Sequence, residues 1–158
     1  MARHIVVLNG PNLNLLGTRE PEIYGTATLA DVERLCADRG AEHGLEVRCR
    51  QSNHEGELVD ALQEAGRDPD CVGVVLNAGA CTHTSVALHD AIKGTAVRVV
   101  EVHVSNPHAR EPFRHTSYLS PVAEMVVAGA GVPGYGWAVD HLATAPDPRS
   151  SDARGTRA

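Results

Sequence analysis

Two short segments of this chain are apolar at every position, and they narrow its fold more than any other feature. Ile5–Leu8 and Cys71–Leu76 contain no charged residue. Runs of four to six residues are too short for a buried helix, and a strand with one wet face would alternate polar and apolar residues. A continuously apolar strand is covered on both faces, as a central strand of a parallel sheet is. Both runs stop in turn chemistry, at Asn9-Gly10-Pro11-Asn12 and at Asn77-Ala78-Gly79.

Parallel neighbours need crossover helices, and the intervening segments supply them. Thr28, with Asp31 three residues on, caps a helix whose apolar face is Leu29, Val32, Leu35 and Cys36, and Gly44 marks its stop. Leu45, Val47 and Cys49 then alternate with Glu46, Arg48 and Arg50, the pattern of an edge strand. Asn53 is the expected cap of a second helix carrying Leu58, Val59 and Leu62. A helix over Thr84–Lys93 ends at Gly94. A fourth strand follows over Ala96–Ser105 and a fifth over Glu124–Ala128. Tyr135, Ala138, Val139 and Leu142 share one face of a last helix. This rhythm predicts an α/β fold of flavodoxin-like order: a five-stranded parallel sheet with helices on both faces. The 158 residues suit one domain, placed at 1–145. Residues 146–158 hold no large apolar side chain and are expected to form a disordered tail.

Composition removes several functions. Aromatics are 3% and the formal net charge is -6, which disfavours a base-stacking platform or a phosphate-backbone site, so no nucleic-acid partner is expected. The four cysteines form no CxxC pair and read as reduced thiols in a cytoplasmic protein. No stretch approaches the ~20 apolar residues of a membrane span, so no membrane partner is expected. The nine histidines show no zinc-ligand spacing, and no metal is expected. Gly129-Ala130-Gly131-Val132-Pro133-Gly134 matches G-x-G-x-x-G, but it follows the last strand, with no acidic residue closing a later one. Helix–sheet packing is the better reading of these glycines, and no cofactor is expected.

In a doubly wound sheet the site lies at the carboxyl ends of the strands. After the first strand come Asn12, Arg19 and Tyr24, with Gly17 and Gly25 bracketing the last two as hinges of a lid. A phenol titrates near pH ~10, so a base of this type needs a cation beside it, and Arg19 is near in sequence. After the third strand come Asn77 and His83, suited to hydroxyls or an anion. In the fourth, period-two alternation puts Glu101, His103 and Ser105 on one face. Buried polar groups of this kind must be paired or functional, and a carboxylate beside a histidine fixes its tautomer for proton transfer. Arg110 and Arg114 follow, each a planar fork matched to a carboxylate.

Four stretches carry a resemblance that these features do not name by themselves: NGPNLNLLGTREPEIYG at 9–25, QSNHEGELVDALQEA at 51–65, NAGACTHTSVALHDA at 77–91 and EVHVSNPHAREPFRHTSYLS at 101–120. Together they resemble the type II 3-dehydroquinate dehydratases, from about His4 to Leu142 and in the family's order. The resemblance implies dehydration of 3-dehydroquinate to 3-dehydroshikimate through an enolate, in the shikimate pathway of aromatic amino-acid biosynthesis. It implies Tyr24 as base, Arg19 as the cation holding its phenolate, and His103, oriented by Glu101, as acid. Asn12 would position a water against the enolate. Asn77, His83, the backbone at Val104 and Ser105, and Arg114 would hold the small anionic substrate. Asp90 would reach it across a subunit contact, and Arg110 would order the lid. The assembly implied is a homo-dodecamer of four trimers. Cys81 and His89 depart from the family's usual residues, a bulkier apolar residue and Arg, and the Val132-Pro133 turn is atypical.

Two alternatives stand beside this. The same dehydration serves quinate breakdown. A non-enzymatic flavodoxin-like binding domain would want a Ser/Thr-rich phosphate loop or an acidic cluster after the first strand, and Asn9-Gly10-Pro11-Asn12 supplies neither.

Overall fold

The computed structural model describes residues 2–18 and 20–150. Five strands form one sheet: β1 (His4–Asn9), β2 (Glu46–Gln51), β3 (Cys71–Asn77), β4 (Val99–His103) and β5 (Met125–Ala128). Every pairing is parallel and the order is β2-β1-β3-β4-β5, the flavodoxin-like order. β1 and β3 are buried along their whole length, as continuous apolar runs require. β2 is the edge strand that its alternation predicts.

The connecting helices are α1 (Pro21–Tyr24), α2 (Leu29–Glu42), α3 (Glu55–Arg67), α4 (Val86–Thr95) and α5 (Pro133–Thr144). α2 begins in a reciprocal cap: the Thr28 hydroxyl accepts from the Asp31 amide, and the Asp31 carboxylate accepts from the Thr28 amide. Gly44, with φ +69, turns the chain out of the helix. α4 starts two residues later than predicted and runs through Gly94 to Thr95. Ser85, not Thr84, accepts from the Leu88 amide at 2.9 Å.

The pleat sorts the sheet's side chains into two cores. Val6, Leu8, Val74, Leu76 and Val99 pack under α3 and α4, while Ile5, Val7, Val75, Val100 and Val102 pack under α2 and α5. Glu101 stands in register with Leu76 and so belongs to the α3/α4 face.

β4 is shorter than its apolar pattern. Ala96 is left-handed at φ 54, and Arg98 is buried with its guanidinium on the Glu124 carboxylate at 2.8 and 3.1 Å and the Leu142 carbonyl at 3.3 Å. Gly134 has the predicted packing role: a Cβ there would lie 3.0 Å from Cγ1 of Val127. Among the described residues no helix is long and apolar enough to cross a membrane.

Residues 146–150 hold one contact that composition does not reveal. Arg149 donates to the carbonyls of Cys71 and Val72 at 2.9 and 3.0 Å. The rest of the expected tail, 151–158, lies outside the described residues.

Candidate active site

A cleft opens at the carboxyl ends of β1, β3 and β4, with about 710 Å³ of space including its mouth. Its walls are built by close backbone approaches that only glycine permits. A Cβ on Gly10 would sit 2.4 Å from the Ala78 carbonyl oxygen, and one on Gly79, at φ +58, would sit 2.8 Å from that of Pro11. Beneath the loops, the buried Tyr135 of α5 donates to Asn9 at 2.6 Å and accepts from Asn77 at 2.8 Å. Burial drives its phenol far above the ordinary range, so this hydroxyl keeps its proton and ties β1 to β3.

Asn12, Tyr24, Asn77, His83, His103, Val104, Ser105, Arg110 and Arg114 all line this one cleft. Arg19 lies outside the described residues. Asp90 is exposed on α4 and does not line the cleft of its own chain. Glu101 lies beneath the cleft, 1% exposed.

His103 Nε2 donates to Glu101 at 2.7 Å. An ionised carboxylate only accepts, so Nε2 carries a hydrogen and Nδ1 is the nitrogen that Glu101 leaves unengaged. Ser117 and Ser120 donate to the same carboxylate at 2.7 and 2.5 Å. Burial by itself would raise the Glu101 carboxyl. The bonds from His103, Ser120 and Ser117, with the attraction of His103, hold it below the ordinary carboxylate range. His83 donates from Nδ1 to the Thr116 carbonyl at 2.8 Å, and its ring stacks on His103 with centroids 6.3 Å apart.

Tyr24 ends the four-residue α1, between Glu20 at φ 41 and Gly25 at φ 77. Arg110 donates to its phenol oxygen at 2.8 Å and lies 5.2 Å from its ring centroid. A guanidinium at this distance stabilises negative charge developing on that oxygen. Arg114 donates from Nε to Glu111 at 2.6 Å and lines the cleft.

Asn12 is held in a left-handed conformation, φ 69, with its amide on the Asn53 side-chain oxygen at 3.0 Å. Asn53 therefore does not cap α3. His54 occupies that position, and the Asn53 oxygen also accepts from Gln51 at 3.1 Å. Asn77 spends one amide hydrogen on Tyr135 and accepts from the Gly79 amide at 3.2 Å. Its second hydrogen and second lone pair remain for a ligand.

Sequence reasoning missed Asn53, Ser117, Ser120, Asn9 and Tyr135. Each acts across a long sequence separation, and the local patterns that mark Tyr135 as a helix-face residue and Asn53 as a cap do not reveal these partners. The two serines fall inside a stretch that carries the resemblance, which is the one signal that could have drawn attention to them.

The family model described as Dehydroquinase class II matches residues 3–143. A 3-dehydroquinate dehydratase of Variovorax paradoxus (strain S110) is 63% identical over 143 residues, covering 89% of this chain and 98% of that protein. One from Corynebacterium efficiens, 3-dehydroquinate dehydratase 1, is 62% identical over 143 residues, covering 90% and 93%. The crystal structure of the type II dehydroquinase from Propionibacterium acnes superposes with a TM-score of 0.85 at 41% identity, covering 91% of this chain and 98% of that one. With its strand order, its cleft and these matches over nearly its whole length, the chain belongs to the class II dehydroquinase family.

Proposed function

We propose that this hydro-lyase dehydrates 3-dehydroquinate to 3-dehydroshikimate through an enolate, with Tyr24 as base and His103 as acid. The observation that carries the reading is the juxtaposition in one cleft of a phenol under the Arg110 guanidinium and an imidazole held by the Glu101 carboxylate. The base needs a cation beside it to become phenolate, and the acid needs a hydrogen on Nδ1 while Nε2–H is held by the carboxylate.

The Tyr24 phenolate takes the proton from the carbon beside the ketone, leaving an enolate. Its charge is stabilised by a water that Asn12 positions and by Arg19, the cation that the resemblance also assigns to the Tyr24 phenolate. The enolate then expels the hydroxyl one carbon further on. His103 supplies the proton that lets it leave as water, and a conjugated enone remains. Asn77, His83, the backbone at Val104 and Ser105, and Arg114 hold the substrate's hydroxyls and carboxylate, and Arg110 orders the lid over them.

The enone product absorbs where the substrate does not, so an ultraviolet assay with 3-dehydroquinate tests the reaction directly. General acid–base groups contribute about 10²–10⁴-fold each. Tyr24→Phe and His103→Ala should each lose at least about 10²-fold in kcat while remaining folded. Near-wild-type turnover in Tyr24→Phe would remove the assigned base.

A dodecamer of four trimers, located in the cytoplasm, is the assembly proposed, with Asp90 reaching the cleft of a neighbouring subunit. Val86, four residues before Asp90 on the same helix, is 54% exposed, which supports an interface there. Aromatic amino-acid biosynthesis is the pathway proposed. Loss of the gene should create a requirement for aromatic amino acids, and a defect confined to growth on quinate would assign the reaction to catabolism.

A further inference from the structure

Glu101 is the most enclosed charged group at the site, and His103 engages only one of its bonds. Its Oε1 accepts from His103 at 2.7 Å and from the Ser117 hydroxyl at 2.7 Å, and its Oε2 accepts from the Ser120 hydroxyl at 2.5 Å. Both serines come from the turn at 117–120 that folds over this end of β4. Leu119, fully buried, pins that turn into the α3/α4 core. The Ser117 oxygen also accepts from the amides of Leu119 and Ser120, at 3.1 and 3.0 Å, so its hydroxyl hydrogen is directed outward to Glu101. Ser120 donates its hydroxyl to the other carboxylate oxygen.

We propose that Ser117 and Ser120 are positioning residues for proton transfer, keeping Glu101 ionised and aimed so that it holds His103 as imidazolium, with Nε2–H on the carboxylate and Nδ1–H presented to the hydroxyl that leaves. A buried carboxylate with only a histidine partner would share that partner's proton or take one from solvent. Two neutral hydroxyl donors remove that option without adding a charge that would compete for His103. The groups facing the pair are then Ser117 and Ser120 from the turn, and the His83 ring stacked against His103. This proposal rests on the reading of His103 as the acid.

The test compares Ser120→Ala, Ser117→Ala/Ser120→Ala and Ser120→Thr in the intact protein. Hydrogen bonds to a charged group are strong enough that losing one should lower kcat by about 10-fold. KM should stay within about twofold, because neither serine lines the cleft. The acid limb of the kcat profile should move to higher pH, and further in the double variant. Ser120→Thr, which keeps the hydroxyl, should restore both. Wild-type kcat and an unmoved acid limb in the folded double variant would overturn the proposal, as would a Thr variant no better than Ala. If the double variant does not fold, Ser120→Cys carries the test: the thiol is a weaker donor and should shift the limb in the same direction by less, and no shift would overturn it. Infrared titration of the substrate-free protein, with the Glu101 band identified by its loss in Glu101→Gln, reads the serines independently of catalysis. Full turnover in His103→Ala would remove the acid reading, while the infrared result would still report whether the serines hold Glu101 ionised.

Discussion

Glu101 shows how one side chain links site chemistry to stability. Its carboxyl is held below the ordinary carboxylate range in the folded chain, so at acid pH the unfolded chain binds more protons than the folded one. Stability therefore rises with pH through this window. The contribution of Glu101 is fully present above the unfolded carboxyl range and is lost as pH falls through the depressed folded value. Denaturant midpoints measured from neutral pH down to about pH 3 should fall more steeply in the wild type than in Glu101→Gln, which has no charge to neutralise. Equal slopes would show that the fold does not hold the Glu101 carboxyl below its unfolded range. Arg114 is the second residue whose geometry makes a prediction. Its Nε is already committed to Glu111, so only the outer part of its fork serves a ligand. Arg114→Lys keeps the charge and loses the fork, and should raise KM by about 10-fold with little change in melting temperature. An unchanged KM would place the substrate carboxylate on other groups.

At the scale of elements, α4 decides between two chemical routes. A ketone can be dehydrated through a lysine Schiff base, and this chain has one lysine, Lys93. α4 begins beside the cleft at Ser85 and runs away from it, so Lys93, in its last turn, is exposed and absent from the cleft lining. Borohydride added with substrate should leave activity intact, and Lys93→Ala should turn over like the wild type. A reduced adduct on Lys93 by mass spectrometry would replace the enolate route. The edge of the sheet holds a comparable contrast. Burial pushes Cys36 of α2 up to about 12 and Cys49 of β2 up to about 11, so these thiols pack as small apolar groups.

At the scale of the molecule, the chain carries its polar ties at both ends of the sheet. At the amino end, Arg149 reaches back to the carbonyls of Cys71 and Val72 and Arg98 is sealed between β4, Glu124 and α5. Arg149 is partly exposed, so its bonds should contribute about 1 kcal/mol together. Truncation at Pro146 should lower the melting temperature by about 2–4 °C, as that energy implies for a domain of this size. Turnover should be unchanged, since the contact lies at the opposite end of the strands from the cleft. Loss of activity on truncation would mean that the segment reaches the site.

Much of this molecule was legible in the order of its residues. Continuous apolar runs at β1 and β3, an alternating β2 and the Thr28–Asp31 cap are local patterns, because burial on two faces, burial on one face and helix initiation each leave a short-range signature. The parallel sheet and the location of the cleft follow from them, and the long motifs brought Tyr24, His103, Asn12, Arg110 and Arg114 into view. The tertiary structure decided which groups touch. Arg110, 86 residues from Tyr24, is a cation on that phenol among the described residues, and Asn53 holds Asn12 across 41 residues instead of capping α3. Ser117 and Ser120 meet Glu101 only because the 117–120 turn folds back over β4. Hydrogen bonds act over about 3 Å in space and are indifferent to separation along the chain, so no periodicity encodes them.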